Sequence, residues 1–365
     1  MVEWKKLGEV CEVLRGKRLT KSQLSETDGY PVLHGGSMPM GYYSEYNRKA
    51  NTTVVVNTGN AGCVFFYDKK FWSSDACFSL YPNEKIMDKF LYLYVYGCER
   101  ILKGKIRAGA MPTIDAKAVE DLIIPLPSLS EQERIVGILD TFTSSIENLK
   151  AQISLRRKQY EHYRDKLLDL EGKPGVEMKT LGEVCTIKNG YTPSTKNPAF
   201  WKDGNIPWFT LEDIRKNGRI LTDAIKHITP LGVKKAGLFP SNSIIISTTA
   251  TIGEYALIQT DFLCNQQISC ISIKDDKRIS SKYLYYIADH IGKWCKKNIN
   301  GGGSLLIVSS SKLQHISIPL PSLQEQSRIV SILDEFEASI KNLEAQVEAR
   351  EKQYEYYRNK LLTFE

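Results

Sequence analysis

Two stretches decide the fold: IIPLPSLSEQERIVGILDTFTSSIENLKAQISLRRKQYEHYRDKLL at residues 123–168, and SIPLPSLQEQSRIVSILDEFEASIKNLEAQVEAREKQYEYYRNKLL at residues 317–362. They agree at 31 of 46 positions without a gap, which marks the chain as a tandem duplication. A second echo, Leu7-Gly-Glu-Val-Cys11 against Leu181-Gly-Glu-Val-Cys185, shows where each half begins. The offset is 174 residues there and 194 at the long stretches, so the segments between them differ by 20 residues, and they agree poorly. One part of the unit is held constant while the other has diverged.

The constant part reads as a long helix. Ser128-Leu-Ser-Glu131 and Ser322-Leu-Gln-Glu325, each behind a proline, have the spacing of a capping box, in which the serine hydroxyl and the glutamate satisfy free backbone N–H groups reciprocally. Downstream, Ile135, Leu139, Phe142, Ile146, Leu149, Ile153, Arg156, Tyr160, Tyr163 and Leu167 recur at alternating steps of four and three, and so do their counterparts from Ile329 to Leu361. That is a heptad seam, which predicts a coiled coil. Arg156 and Arg350 interrupt it at matching positions, and Asp334 and Asp140 are the acceptors expected for them. The bland alternative is that both arginines snorkel to solvent over the apolar stripe.

Topology follows from length. At ~1.5 Å per residue, residues 131–169 span about 58 Å. The Gly- and Pro-bearing connector 170–176 is too short to run back along that length, so the second globular region is expected at the far end of the first helix, and the second helix can meet the first only by running antiparallel.

The diverged segments carry short β-branched and aromatic runs bounded by turn residues, at 53–56, 64–67, 244–246 and 268–273, followed by helical stretches near 89–102 and 281–296. The fold class expected is α+β: two globular α/β domains separated by a pair of long antiparallel coiled-coil helices, with a pseudo-two-fold internal repeat. The expected boundaries are 1–127 and 177–321 for the domains, 128–169 and 322–363 for the helices, and 170–176 for the linker.

Composition narrows the function. Apolar residues are 42% and charged residues 25%, ordinary for a globular chain. No signal-like or membrane-length apolar run occurs, so the expected location is the cytoplasm, with no membrane partner. The eight cysteines form no C-x-x-C pair and the histidines do not accompany them at ligand spacing, so no metal is expected and the thiols read as small buried hydrophobes. Net charge is +7, yet residues 131–169 hold seven acids and seven bases and residues 325–361 eight acids and six bases, which leaves +9 for the remainder. A basic remainder suits a polyanion partner.

The doubled I-P-L-P-S-L-x-E-Q-x-R-I-V-x-I-L-D run, each copy closing a variable region that begins L-G-E-V-C, resembles the specificity (S) subunits of type I restriction-modification systems, the HsdS family. The resemblance covers essentially the whole chain, and Gly190-Tyr-Thr-Pro-Ser194, Asn197-Pro-Ala-Phe-Trp201 and Tyr30-Pro-Val-Leu-His-Gly-Gly36 add to it. It implies that the variable regions are target recognition domains for the two halves of a bipartite site in double-stranded DNA. It also implies that the helices are spacers docking two methyltransferase (M) subunits and, through them, restriction (R) subunits, and that this chain is not an enzyme and needs no cofactor.

Duplex recognition calls for Arg and Lys at phosphates and guanine, Asn and Gln at adenine, and hydroxyls at phosphate oxygens. The loops of the first domain offer Arg15, Lys17, Arg18, Lys21, His34, Arg48, Asn60, Lys105 and Arg107. Those of the second offer Lys188, Asn189, Tyr191, Thr192, Lys196, Gln266, Gln267, Asn300 and Ser304. An adenine methyltransferase would need an N/D-P-P-Y/F motif, and the nearest match, Asn197-Pro-Ala-Phe200, lacks the second proline. No phosphate-binding G-x-x-x-x-G-K-[ST] loop and no PD-x-[DE]-x-K nuclease motif is present. The alternative functional class is a coiled-coil adaptor joining two protein-binding heads, which salt-independent behaviour toward DNA would favour.

Overall fold

A computed structural model describes residues 2–36, 38–107, 109, 111–299 and 307–364. Its compact units are Met1–Gln152 with Leu343–Glu365, and Ile153–Asn342.

In the first unit, β1 (Glu3–Lys6) pairs antiparallel with β9 (Ile123–Leu126). A four-stranded antiparallel sheet runs β2 (Cys11–Arg15), β8 (Cys77–Pro82), β5 (Thr52–Val56), β6 (Val64–Tyr67). A smaller sheet runs β4 (Pro39–Tyr43), β3 (Tyr30–Leu33), β7 (Trp72–Ser73). Helices α1 (Asp88–Gly97), α2 (Glu99–Lys103) and α3 (Ala116–Glu120) precede α4 (Leu129–Leu168), a continuous helix of 40 residues. The stretch expected as one helix near 89–102 is therefore two, broken at Cys98.

The second unit repeats this plan with additions. Its outer pair is β10 (Glu177–Thr180) with β19 (Ser317–Leu320). The larger sheet runs β11 (Cys185–Asn189), β18 (Ile268–Ile273), β15 (Ser243–Ser247), β16 (Tyr255–Ile258), β13 (Ile220–Leu221), and the smaller one β14 (His227–Ile228), β12 (Ile206–Phe209), β17 (Leu263–Cys264). The helices are α5 (Leu181–Val184), α6 (Leu211–Asn217), α7 (Ser281–Lys297), α8 (Ser310–Gln314) and α9 (Leu323–Leu361).

The central strands β5 and β15 are buried along their whole length, which is why they read as unbroken β-branched runs rather than alternating ones. Alternation persists in which core each side chain enters: Ile244 and Ile246 face the α7 side, while Ile245 joins Phe209, Phe262 and Leu263 beside the smaller sheet.

The long helices start where expected, with a difference in the cap. Ser128 and Ser322 hydroxyls accept the Glu131 and Glu325 N–H groups at 3.3 Å, but the glutamates turn along the helix to hold Arg134 and Arg328 at 2.7 Å rather than completing a reciprocal box. A charge-assisted fork competes successfully with a single backbone N–H. One residue on, Gln132 is fully buried: its Oε1 accepts the Met87 N–H at 2.9 Å, and its amide donates to the carbonyls of Lys85 at 2.8 Å and Pro127 at 3.0 Å. Gln326 does the same with Ser280, Arg278 and Pro321, at 3.0, 2.9 and 2.9 Å. Ile135, Leu139, Ile329 and Leu333 then sink into the adjoining cores.

Helix pairing is antiparallel in each unit. In the first, Phe142 stacks on Tyr357 at 5.3 Å and Lys150 bonds Glu351 at 2.8 Å, so position falls along α9 as it rises along α4. In the second, Tyr163 stacks on Phe336 at 5.5 Å and Tyr160 donates to Glu337 at 3.1 Å. Leu361, Leu362 and Phe364 pack on the core of the first unit, and Leu167 and Leu168 belong to that of the second. The seam arginines do not take the expected acceptors. Arg156 donates to Gln159 and lies 5.8 Å over Phe336, and Arg350 donates to Gln353 and lies 5.8 Å over Phe142. Asp334 instead receives Lys282 and Tyr286, and Asp140 pairs with Lys89. An aromatic face one helix away satisfies the guanidinium without a buried carboxylate.

Gln132→Leu is expected to lower the unfolding free energy by about 2–3 kcal/mol, because it orphans a buried N–H and two carbonyls, and Gln132→Glu to lower it further by setting a carboxylate against two carbonyl oxygens. Urea titration followed by far-UV circular dichroism measures both; a loss below about 0.5 kcal/mol would mean that the amide is not holding the helix.

Candidate DNA interface

The proposed contact loops of the first unit are tied into one cluster by backbone geometry. Gly16 follows β2 and passes so close to β7 that a Cβ there would lie 2.1 Å from Ser74 O and 2.2 Å from Ser73 O. Its N–H donates to Cys77 O at 3.1 Å and that of Lys17 to Ser73 O at 2.9 Å, while the Trp72 indole donates to Lys17 O at 2.8 Å. Arg15 Nε donates to Asp75 O at 2.9 Å. His34 Nδ1 and Ser74 Oγ share a 2.8 Å hydrogen bond, and Asn60 N–H donates to Gly35 O at 3.4 Å. Thr58 and Arg107 each bridge to Thr113, and Arg107 forms an ion pair with Asp115. Arg15, Lys17, His34, Asn60 and Arg107 are thus brought together, with exposed Arg18 beside them and Lys105 two residues before Arg107. Lys21 stands apart on the 3₁₀ turn Lys21–Gln23, which Thr20 and Gln23 cap.

Arg48 is a correction. It is only 9% exposed, and its guanidinium donates to Ser79 Oγ at 2.9 Å and to the carbonyls of Asn47 at 2.8 Å, Leu14 at 3.4 Å and Arg15 at 2.9 Å. Burial pushes its pKa below the ordinary guanidinium value. It braces β2 from inside. The matching residue of the second unit, set by the bridges Arg48↔Phe71 and Phe239↔Phe262, is Phe239.

The second unit repeats the cluster with different side chains. A Cβ on Gly190 would lie 2.2 Å from Cys264 O and 2.4 Å from Asn265 O, the same close approach as at Gly16. Thr192 donates to Gln266, Asn189 accepts from Ser269 at 2.8 Å, and Thr248 N–H donates to Gln267 O at 2.9 Å. Lys188 and Lys196 are exposed. Tyr191 is committed internally: its hydroxyl donates to Gly232 O at 3.2 Å and accepts the Lys234 N–H at 2.8 Å. Asn300 and Ser304 lie outside the described residues.

The turn after the central strand shows the divergence most plainly. Gly62 N–H closes on Val56 O in one unit and Gly253 N–H on Ser247 O in the other, which aligns Asn57-Thr58-Gly59-Asn60 with Thr248-Thr249-Ala250-Thr251. Gly59 has φ +89° and Ala250 keeps the left-handed conformation at φ +63°, at some cost for a residue with a Cβ. Sequence reading missed Asp75, which occupies the place of Gln266 and whose buried Oδ1 has no hydrogen-bond partner among the described residues. The signal available was its position two residues after β7, as Gln266 stands two residues after β17.

Seven of the eight cysteines are buried and all are free. Burial pushes Cys77 up to about 11 and Cys185 up to about 12, far from thiolate chemistry. Among the described residues no helix is long and apolar enough to cross a membrane.

A family model described as the type I restriction modification DNA specificity domain matches residues 1–156 and again residues 174–349. The chain belongs to that family. The Escherichia coli type I restriction enzyme EcoR124I/EcoR124II specificity subunit is 33% identical over 396 residues, covering 100% of this chain and 94% of that one. The EcoprrI specificity subunit, also from Escherichia coli, is 42% identical over 217 residues, 55% of this chain and 53% of that relative's length. The crystal structure of the type I restriction-modification S subunit from M. genitalium shares the fold at a TM-score of 0.64 and 18% identity, covering 100% of this chain and 97% of that chain. This is a specificity-subunit fold with the family's domain present twice.

If Arg48 is a brace, Arg48→Met costs the first unit about 2 kcal/mol by orphaning three carbonyls, yet leaves the salt dependence of duplex binding unchanged. Denaturation and a binding titration on one preparation check both; an unshifted melt with a shallower salt slope would return Arg48 to the DNA-facing set.

Proposed function

We propose that this chain is the non-catalytic DNA-reading subunit of a type I restriction-modification enzyme, with residues 1–127 and 177–321 each reading one half of a bipartite duplex site. Segments 128–169 and 322–363, joined by the linker 170–176, hold the two readers and dock two methyltransferase subunits and, through them, restriction subunits. The observation that carries this reading is one scaffold used twice with different side chains on the same loops: Lys17 where the other unit has Tyr191, Asp75 where it has Gln266, Asn60 where it has Thr251. Conserved backbone with exchanged polar tips is what separate direct readout of two sequences requires.

Within the first reader, Arg15, Lys17, Arg18, His34, Asn60, Lys105 and Arg107 are the contact set, with Asp75 as an acceptor for a cytosine amino group and Lys21 as a peripheral phosphate ligand. In the second, Lys188, Asn189, Thr192, Lys196, Gln266 and Gln267 serve, together with Asn300 and Ser304. Tyr191 supports its loop rather than touching bases.

Duplex binding by the assembled enzyme is expected to weaken steeply with salt. Lys17→Ala with Arg18→Ala is expected to reduce the slope of log K against log[salt] by about one for each phosphate that the variant no longer neutralises. Fluorescence anisotropy across a salt series tests this. A flat slope in the wild type would favour the adaptor reading.

A further inference from the structure

The larger sheets of the two units match strand for strand up to their last edge. The ladders Thr52↔Tyr67 to Val55↔Val64 and Ser243↔Ile258 to Ile246↔Tyr255 set β6 in the place of β16, with Phe66 matching Leu257. In the second unit β13 lies beyond β16 in parallel register, Ile220 opposite Leu257. There the N–H groups of Leu257 and Gln259 donate to Arg219 O and Leu221 O, each at 2.8 Å. In the first unit β6 is the last strand among the described residues. Sequence length explains the difference. Between Phe209 and His227 stand the 17 residues 210–226, which carry α6 and β13. Between their counterparts Leu33 and Tyr42 stand the 8 residues 34–41, and no element there corresponds to α6 or β13.

The open edge offers both backbone groups and apolar surface. Val56 N–H donates to Cys63 O, so the alternation of the antiparallel ladder turns the backbone groups of Val64, Phe66 and Asp68 away from β5. Glu99 Oε1 accepts the Val64 N–H at 2.8 Å, which leaves the Phe66 N–H and C=O and the Asp68 N–H directed outward with no strand beyond them. Ala256, Leu257 and Ile258 are fully buried, and Ala256 and Ile258 share a core with Ile214 and Leu221 of the covering segment. Their counterparts Phe65, Phe66 and Tyr67 are only half-buried.

We propose that the open edge of β6 is a docking site for an extended segment of another protein, which adds to the sheet in parallel as β13 adds to β16. The second unit supplies the chemistry of the occupant. Arg219-Ile220-Leu221-Thr222-Asp223, carried over in register, sets a basic residue beside Glu99, two apolar residues along Phe66 and Tyr67, and an acid across from exposed Lys69. A strand of that pattern meets the outward N–H and C=O groups and covers the half-buried aromatic side chains together. A docked helix has no free backbone groups to offer this ladder, and nucleic acid would leave the apolar surface bare.

The test adds a labelled synthetic peptide of residues 216–224, Lys-Asn-Gly-Arg-Ile-Leu-Thr-Asp-Ala, to the full chain. Fluorescence anisotropy reads binding, and amide hydrogen exchange read by mass spectrometry locates it. The wild type is expected to bind the peptide and to exchange more slowly over residues 64–69. Asp68→Pro removes one outward N–H at the exposed end of an edge strand, where proline is tolerated, and weakens binding about tenfold. N-methylation of the peptide's leucine removes the donor aimed at Phe66 O and weakens binding of the wild type by about as much. Asp68 is outside the DNA-contact set, so Asp68→Pro binds duplex DNA as the wild type does. A peptide that does not bind the wild type, binding indifferent to N-methylation, or slowed exchange confined to residues 255–259 overturns the proposal. So does a wild-type dimer that Asp68→Pro dissolves, which gives the edge to a second copy of the chain.

Discussion

Gln132 and Gln326 are the points at which each recognition domain is fixed to its helix. A buried primary amide has one acceptor and two donors to place, and in both copies every one is used, on an N–H and a carbonyl from the segment just before α1 or α7 and on the carbonyl of the proline preceding the long helix. Such a satisfied group specifies direction as well as contact, because rotating the helix by one residue would leave several buried polar atoms unpaired. Apolar packing by Ile135 and Leu139, or Ile329 and Leu333, is strong but tolerant of small rotations. The amide fixes where the helix points, and a reader of DNA depends on that orientation.

The loops use a different device. At Gly16 and Gly190 the chain passes so close to a neighbouring carbonyl that no side chain fits, which locks the loop after β2 or β11 to the smaller sheet whatever residues follow. Side chains beyond that lock are then at liberty to change. Lys17, Asp75 and Asn60 can become Tyr191, Gln266 and Thr251 without disturbing the frame. The interior adjusts too, since Arg48 braces one sheet where Phe239 stands in the other.

Much of the frame was legible in sequence because it is periodic or repeated. The heptad seam, the antiparallel pairing and the β-branched central strands all emerge from spacing and side-chain type, and they recur in the structure. What escaped reading depends on non-local geometry. Arg48 sits in a turn-like Tyr-Asn-Arg-Lys context and looks like any surface arginine, yet its three carbonyl partners come from residues 14, 15 and 47. The acceptors of Arg156 and Arg350 were misjudged because helix register alone does not reveal that Asp334 and Asp140 are claimed by Lys282 and Lys89 of the domain helices. Gln132 and Gln326 were visible as polar residues at a seam position in both repeats, and that signal went unread. Asn300 and Ser304 fall outside the described residues.

The central claim is that the duplicated frame carries two independent readers. Its most direct test replaces residues 1–124 with the first domain of another family member and maps methylated adenines across a genome in cells that also express the methyltransferase subunit. The account predicts a target in which one half-site changes and the other stays as it was. A target altered in both halves, or in neither, would contradict it.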